Sequence, residues 1–239
     1  MKQQLKTVAA SAFVIGQLLS GSVLAATVTL NGDTVDYTFD DTLLGLFGPA
    51  SMSGDTLYFT PVEFQAESLN GDGYALTNST MNIQVSARDG WAFSDISLQE
   101  RGDYMLLGGA SSAEVGGQMR VYDSDSVLSD VTASIQTTEA LDHTGLPTTN
   151  WEAGAVVDLS AWTDTKEVNV TVQNLLMAST NGASSLAFVD KKFVGLTPTL
   201  SAIPISPVPE AHTYGMMLAG LGLIGWKIKR RRLMTPYRS

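Results

Sequence analysis

Apolar and polar residues alternate repeatedly along the middle of the chain, from residue 26 to residue 201. In the stretches 80–87 and 166–173, nearly every second residue is apolar. This period of two is typical of β-strands that bury one face. No stretch between these limits keeps a helical period over three turns, so the pattern predicts an all-β domain over residues 26–201.

Turn signals rich in glycine and asparagine separate the alternating stretches. Asn31-Gly32-Asp33 lies between the stretches 27–30 and 34–39 and predicts a hairpin, because Asn and Gly adopt positive φ at low cost. Further turns are predicted at 53–55, 70–73, 108–109, 116–117 and 181–182. Further strands are predicted at 56–60, 62–66, 91–98, 104–107, 118–122, 131–137, 155–159 and 186–196. About ten strands without intervening helices predict an antiparallel β-sandwich, of which a jelly roll is one form.

The first 25 residues have the layout of a secretory signal peptide. Lys2 and Lys6 precede an apolar run that ends in Val23-Leu24-Ala25, followed by Ala26. An N-terminal membrane anchor would need a longer unbroken apolar run than this one. We therefore expect signal peptidase to cleave between Ala25 and Ala26.

The other end of the chain has a fixed order of parts. A Pro-rich spacer, residues 202–207, cannot join the interior of a sheet and is predicted to be extended. The stretch 214–226 carries no charge, and it predicts a short membrane helix over 213–228. The candidate anchor residues of this helix are Tyr214, Leu218, Leu221, Leu223 and Trp226. A basic cluster follows and indicates the cytoplasmic side, namely Lys227, Lys229, Arg230, Arg231 and Arg232, and residues 233–239 form a short tail.

The predicted membrane helix is short. Its residues span about 24 Å at about 1.5 Å per residue, against a hydrocarbon core of about 30 Å. Snorkelling of Lys227 and Lys229 and local thinning of the bilayer would be needed to accommodate it. Hydropathy by itself therefore leaves the assignment open.

The C-terminal residues together resemble the PEP-CTERM sorting signal of Gram-negative bacteria. The resemblance rests on Val208-Pro209-Glu210, the Leu/Gly/Ala helix and the triple arginine 230–232, and it covers Pro207 to Arg232. One position departs from the family, because its Pro-Glu-Pro triplet is Pro209-Glu210-Ala211 here. The departure bears on how efficiently, and at which position, the chain would be processed.

The resemblance implies a route for the protein. Exosortase, a multi-pass membrane enzyme of the cysteine transpeptidase or protease type, would process the chain near Pro209-Glu210. Signal peptidase and exosortase are then the expected processing partners, and the chain is a substrate of exosortase. The inner membrane would anchor the chain at least transiently. The expected destination is the cell surface or an exopolysaccharide and biofilm matrix of a Gram-negative bacterium.

The charge distribution excludes one class of partner. Between residues 26 and 201 the chain carries 23 of its 24 acidic residues but only 6 of its 14 basic residues. Such an acidic domain repels phosphate backbones, so we expect no nucleic acid partner. The chain has no cysteine, which excludes disulfides, thiolate nucleophiles and cysteine-ligated metals.

The predicted β domain offers few candidates for chemistry. His143 is its only histidine and lies in a polar loop without a nucleophile-elbow sequence, so we expect no catalytic residue. Asp123, Asp125 and Asp130 are candidate oxygen ligands for a structural calcium ion. The alternative is that these carboxylates cap turns. No other metal or cofactor is expected.

Two alternatives to the role of a surface or matrix component remain open from the sequence. Trp91, Trp151 and Trp162 would suit a carbohydrate-binding module if they shared one exposed face, whereas strand-end tryptophans commonly belong to a core. The many carboxylates leave a secreted glycan hydrolase as the second alternative, although no two of them are singled out. The leading prediction is an exported, exosortase-sorted, non-enzymatic surface or matrix protein.

Overall fold

The computed structural model describes residues 27–124, 130–162, 165–203 and 211–233. The predicted signal peptide with Ala25 and Ala26, and residues 204–210, lie outside these ranges. The described strands are β1 (Thr27–Asn31), β2 (Val35–Asp40), β3 (Ala50–Ser53), β4 (Thr56–Phe59), β5 (Gln65–Leu69), β6 (Gly73–Ala87), β7 (Trp91–Leu107), β8 (Ser111–Asp123), β9 (Asp130–Thr137), β10 (Thr149–Asp158), β11 (Glu167–Thr180) and β12 (Leu186–Ala202). Two short 3₁₀ turns, Asp41–Leu43 and Gly45–Phe47, lie between β2 and β3, and an α-helix, α1 (Ala211–Leu233), comes last.

The strands form two facing layers. The first layer has the order β1-β2-β6-β11-β8-β9, and the second has β10-β7-β12-β4-β3 with β5 also paired to β12. A short pairing of β9 with β10 joins the layers along one side. The pairs between these strands are antiparallel, so the predicted antiparallel β-sandwich is confirmed, in a nearly closed form with more strands than the ten expected.

The core lies between the layers and follows from the period of two. In β11 every even position from 168 to 180 is buried, and the odd positions are partly or fully exposed. Phe47 packs edge to face on Phe59 and Phe64, with ring centroids 6.1 and 5.6 Å apart. Burying each such apolar side chain contributes about 1.5–3 kcal/mol, so the two layers are held mainly by this shared core.

Three predicted boundaries are wrong for identifiable reasons. The stretches 91–98 and 104–107 form one strand, β7, because the polar residues between them continue the pairing with β12. Gly116-Gly117 does not form a turn but lies inside β8, where Gly117 has φ 148° and a Cβ atom would lie 2.1 Å from the Gln173 carbonyl oxygen. The strand predicted at 62–66 begins only at Gln65.

A bulge in β12 sets the position of two neighbouring lysines. The register of β12 against β7 shifts between Lys191 and Phe193, so Lys192 is the extra residue. Before the bulge the buried positions include Val189 and Lys191, and after it they resume at Val194. Lys191 therefore points into the core, while Lys192 is exposed.

Candidate functional site

Three polar side chains meet inside the core, where β7, β11 and β12 approach one another. They are Glu100 on β7, Asn174 on β11 and Lys191 on β12, and each is 0% exposed. The Lys191 Nζ donates to Glu100 Oε2 at 2.5 Å and to Asn174 Oδ1 at 2.7 Å. We call these three residues the lysine cluster.

Aromatic rings and a glycine close the lysine cluster off from solvent. The Nζ of Lys191 lies 5.2 Å from the centroid of the Phe64 ring and 5.7 Å from that of Trp151. The Trp151 Nε1 donates to the carbonyl oxygens of Asp103 and Asp190, at 3.3 and 3.2 Å, which fixes the indole in place. A Cβ atom at Gly102 would lie 2.6 Å from this indole, so only glycine permits the contact.

The burial of the lysine cluster favours an uncharged amine at Lys191. Burial lowers the pKa of Lys191, although the carboxylate of Glu100 acts in the opposite direction. Two buried atoms of the cluster, Glu100 Oε1 and Asn174 Nδ2, have no hydrogen-bond partner among the described residues. Buried polar atoms are almost always hydrogen-bonded, so this cluster is closed and incompletely satisfied.

A second charged group lies beside the cluster, with Lys192 exposed and Asp103 buried. Asp103 and Asp190 are directly opposite in the β7–β12 register. The Lys192 Nζ donates to Asp103 Oδ2 and lies 4.0 Å from Asp190 Oδ2. Burial raises the pKa of Asp190, while Lys192 counteracts that effect. The two carboxylates are thus bridged by a lysine.

Two of the candidate calcium ligands, Asp123 and Asp130, lie among the described residues, at the same end of the β8–β9 pair. Asp123 accepts a hydrogen bond from Thr165 Oγ1 at 2.9 Å, and Asp130 pairs with Arg120 at 2.7 Å. Asp125 lies outside the described residues. Within the described ranges, no group of three or more His, Cys, Asp or Glu residues is arranged to hold a metal ion. A calcium site therefore stays an untested prediction.

The three tryptophans do not form an exposed sugar-binding face. Trp151 is 4% exposed and lines the core, and Trp162 packs partly buried against it. Trp91, at the start of β7, is also partly buried. Trp151 and Trp162 therefore fit the expectation that strand-end tryptophans belong to the core.

The predicted helix at 213–228 lies within α1. Among the described residues, α1 included, no helix combines the length and the apolarity needed to cross a bilayer. The side chains from 215 to 230 are exposed, including Leu218, Leu221, Leu223, Lys229 and Trp226. The guanidinium of Arg230 lies 4.9 Å from the centroid of the Trp226 ring.

Several predicted sorting residues lie outside the described structure. They are Val208, Pro209 and Glu210 of the processing motif, together with the side chains of Tyr214, Arg231 and Arg232. Their assignment therefore rests on the sequence.

Comparison with known proteins identifies the tail rather than the β domain. Residues 207–232 match the PEP-CTERM protein-sorting motif. The resemblance is thereby confirmed over the residues from which it was inferred, and the PEP-CTERM motif supports an exported protein that is sorted by exosortase. No curated protein matches the chain.

Among solved structures, one similar chain comes from the structure of infectious bursal disease virus, Gt strain. It is 12% identical, and the match covers 75% of the present chain and 52% of the viral one, about half its length. The TM-score is 0.19, so the likeness carries no argument about fold or function.

Proposed function

We propose that this protein is exported, processed by exosortase, and retained at the cell surface or in the extracellular matrix of a Gram-negative bacterium as a non-enzymatic component. The PEP-CTERM motif at residues 207–232 is the observation that carries the proposal. The motif concerns the route of the protein, and the role at the destination is inferred from the β domain.

The tail has the features that a transient membrane contact needs. Helix α1 exposes apolar side chains along residues 216–228, and exposed apolar surfaces of this kind mark sites of interaction with proteins or membranes. The basic residues that follow favour the anionic cytoplasmic face of the inner membrane. Exosortase would then separate the β domain from α1 near Pro209-Glu210.

The β domain is suited to a passive role in a hydrated matrix. Its surface carries a large excess of carboxylates, which keeps the domain soluble and well separated from other acidic molecules. Its single histidine, His143, is exposed in a loop where its backbone N–H donates to the Tyr104 hydroxyl at 3.1 Å. The proposal therefore assigns no catalytic residue to the domain.

Mass spectrometry of the protein from its native host tests the sorting step. We expect a new C-terminus near Pro209-Glu210 instead of Ser239. The Glu210→Ala variant should keep its tail and accumulate in the membrane fraction, whereas Glu63→Ala, an exposed glutamate outside the motif, should be processed normally. Recovery of wild-type surface material that still ends at Ser239 would refute exosortase processing.

Retention by the matrix is tested separately. The processed protein should co-sediment with the exopolysaccharide of its own host and should be released by salt if the contact is electrostatic. If the protein appears only in the soluble medium, the matrix location is wrong, although the sorting step is unaffected.

A further inference from the structure

The lysine cluster has the composition of a self-reacting site. We propose that Lys191 and Asn174 become joined by an intramolecular isopeptide bond, with Glu100 as the group that transfers the protons. The inference concerns the interior of the β domain, and it is independent of the proposed sorting and of the matrix role.

The first support is the position of the amine relative to the carboxamide. The Nζ of Lys191 lies 2.7 Å from Asn174 Oδ1, and a C=O bond is about 1.2 Å long, so Nζ is about 3–4 Å from Asn174 Cγ. This range overlaps the separation of reacting atoms in near-attack conformers. The amine is thus placed against the one carbon atom that it would attack.

The second support is the orientation of the Asn174 amide. A lysine amine hydrogen-bonds as a donor here, so the oxygen of the carboxamide must face Lys191. The nitrogen, Nδ2, is then on the other side of Cγ and has no hydrogen-bond partner among the described residues. No hydrogen bond to a described residue therefore has to break when Nδ2 leaves.

The third support is the presence of a proton acceptor in an apolar setting. Only an uncharged amine is a nucleophile, and burial already lowers the pKa of Lys191 toward that form. Glu100 Oε2, at 2.5 Å, is positioned to accept the proton from Nζ. Phe64 and Trp151 exclude the water that would compete with the amine for the carboxamide.

The reaction balances without a cofactor or an oxidant. Lys191 passes a proton to Glu100, and the free electron pair of Nζ forms a bond to Asn174 Cγ, which gives a tetrahedral intermediate. Glu100 then relays a proton from Nζ to Nδ2, the bond between Cγ and Nδ2 breaks, and ammonia leaves. The products are a secondary amide, one ammonia molecule and the carboxyl group of Glu100, which keeps the proton that it took from the lysine ammonium.

The bond would resolve the incomplete hydrogen bonding of the cluster. The unpaired Asn174 Nδ2 leaves as ammonia, and the buried lysine charge disappears. The new amide N–H donates to Glu100, and its carbonyl oxygen accepts from the protonated carboxyl group. A buried site that holds unsatisfied atoms before reaction thus becomes satisfied after it.

The proposed bond would also cross-link the two layers. It joins β11 of the first layer to β12 of the second, between residues 17 positions apart. A covalent tie of this kind restricts the unfolded chain in the manner of a disulfide. The chain has no cysteine, so a disulfide cannot provide such a tie.

Peptide mapping of the folded full-length protein tests the proposal. Trypsin cleaves after Lys166, Lys191 and Lys192, so the unlinked chain yields the peptide 167–191, which contains both reacting residues. An acylated lysine resists trypsin. We therefore expect the peptide 167–192 instead, lighter than its sequence mass by one ammonia, about 17 Da.

Fragmentation of this peptide distinguishes the isopeptide bond from other reactions that release ammonia. Residues 174 and 191 close a ring, so backbone breaks between them should release no fragments. Succinimide formation at Asn181-Gly182 also removes ammonia, but it leaves the backbone open and gives fragments throughout. Recovery of peptide 167–191 at full mass from folded wild-type protein would overturn the proposal.

Matched variants assign the roles within the cluster. Lys191→Arg keeps a cation beside Glu100 but lacks the nucleophile, and Asn174→Ala lacks the acceptor carbon, so both should show full mass. Glu100→Gln keeps the shape but cannot accept the proton, and it should abolish the loss of ammonia. Lys192→Arg, on the surface, should leave the bond intact. Loss of ammonia that persists in Lys191→Arg would refute the bond, and persistence in Glu100→Gln would refute the role of Glu100.

Discussion

The β domain and the tail helix distribute charge and apolar surface in opposite ways. In the domain, Glu100 and Lys191 are 0% exposed, and in α1, Leu218 and Trp226 are 66% and 58% exposed. A buried charge is tolerated only with partners inside the fold, whereas an exposed apolar side chain gains by meeting another molecule. The buried charged groups of the domain therefore interact with one another, whereas the exposed apolar side chains of the tail are available to another molecule.

This contrast separates the two kinds of mutational effect. Changes inside the domain should act on stability and leave sorting alone as long as the domain folds. Changes in the tail should act on sorting and leave stability alone. Each prediction below tests one side of this separation.

The largest effect is expected at Gly102, in the wall of the lysine cluster. A Cβ atom there would lie 1.9 Å from the Asp190 carbonyl oxygen and 2.6 Å from the Trp151 ring. Because both neighbours are held by the sheet and the core, Gly102→Ala should cost roughly 3–5 kcal/mol, a large share of the stability of a typical domain. A fall in the midpoint of urea unfolding at an unchanged m-value would measure it.

Two other glycine substitutions serve as controls for that effect. A Cβ atom at Gly116 in β8, or at Gly220 in α1, would have no heavy atom within 4 Å. Gly116→Ala and Gly220→Ala should therefore leave the unfolding midpoint of the domain nearly unchanged. A Gly102→Ala variant as stable as these controls would show that the wall of the cluster is looser than described.

The next effect distinguishes two neighbouring lysines. Lys191→Ala removes the partner of the buried Glu100 and, with it, the proposed bond to Asn174, which should cost at least about 3–5 kcal/mol. Lys192→Ala removes an exposed lysine beside Asp103 and should cost about 1 kcal/mol or less. Denaturant unfolding of both variants measures the difference, and equal losses would contradict the opposite orientations that the bulge gives these residues.

The sequence predicted the strands better than it predicted the site. Alternation located β11 and most other strands, and the Asn31-Gly32-Asp33 signal located the β1–β2 hairpin, because local spacing determines these features. The same local rules failed where pairing with strands distant in the sequence determines how far a strand extends. The polar stretch between 98 and 104 reads as a loop, yet it continues β7 because β12 supplies its partners.

The lysine cluster was missed for a related reason. Glu100 and Lys191 are 91 positions apart in the chain, and a solvated surface is the ordinary place for both residue types. One local signal was available, since the alternation at the start of β12 places position 191 on the buried face that includes Ala187 and Val189. The sorting tail, in contrast, was predictable because its signal is contiguous and linear.

A smaller, pH-dependent effect is expected at Asp55, which ties the β3–β4 turn to the β1–β2 loop. It accepts from the backbone N–H and the hydroxyl of Thr34, at 2.8 and 2.6 Å. Burial acts to raise the pKa of Asp55, but hydrogen bonds from Thr34 and neighbouring backbone groups outweigh burial and lower it. The folded state therefore favours the ionised form.

The sign of the Asp55 contribution follows from linkage. A lowered pKa adds stability above the unfolded value of 3.8, and this stability is lost as the pH falls through the folded pKa. Asp55→Asn should cost about 1 kcal/mol at neutral pH, allowing for solvent screening, and almost nothing in strong acid. Unfolding curves across this range test it, and Thr34→Ala should reproduce part of the loss. A cost that does not change with pH would contradict the assignment.

The smallest effect on stability is expected in the tail, at Trp226. Its ring contacts the guanidinium of Arg230 on an exposed helix, and such a contact is worth about 0.5–1 kcal/mol and acts only within α1. Trp226→Ala should therefore shift the unfolding midpoint of the domain by less than the measurement error, while reducing the fraction of chains that exosortase processes in the host. A clear loss of domain stability would show that α1 docks on the β-sandwich. In that case the apolar face of the tail would have a partner within the chain, and its exposure could no longer be attributed to recognition by another molecule.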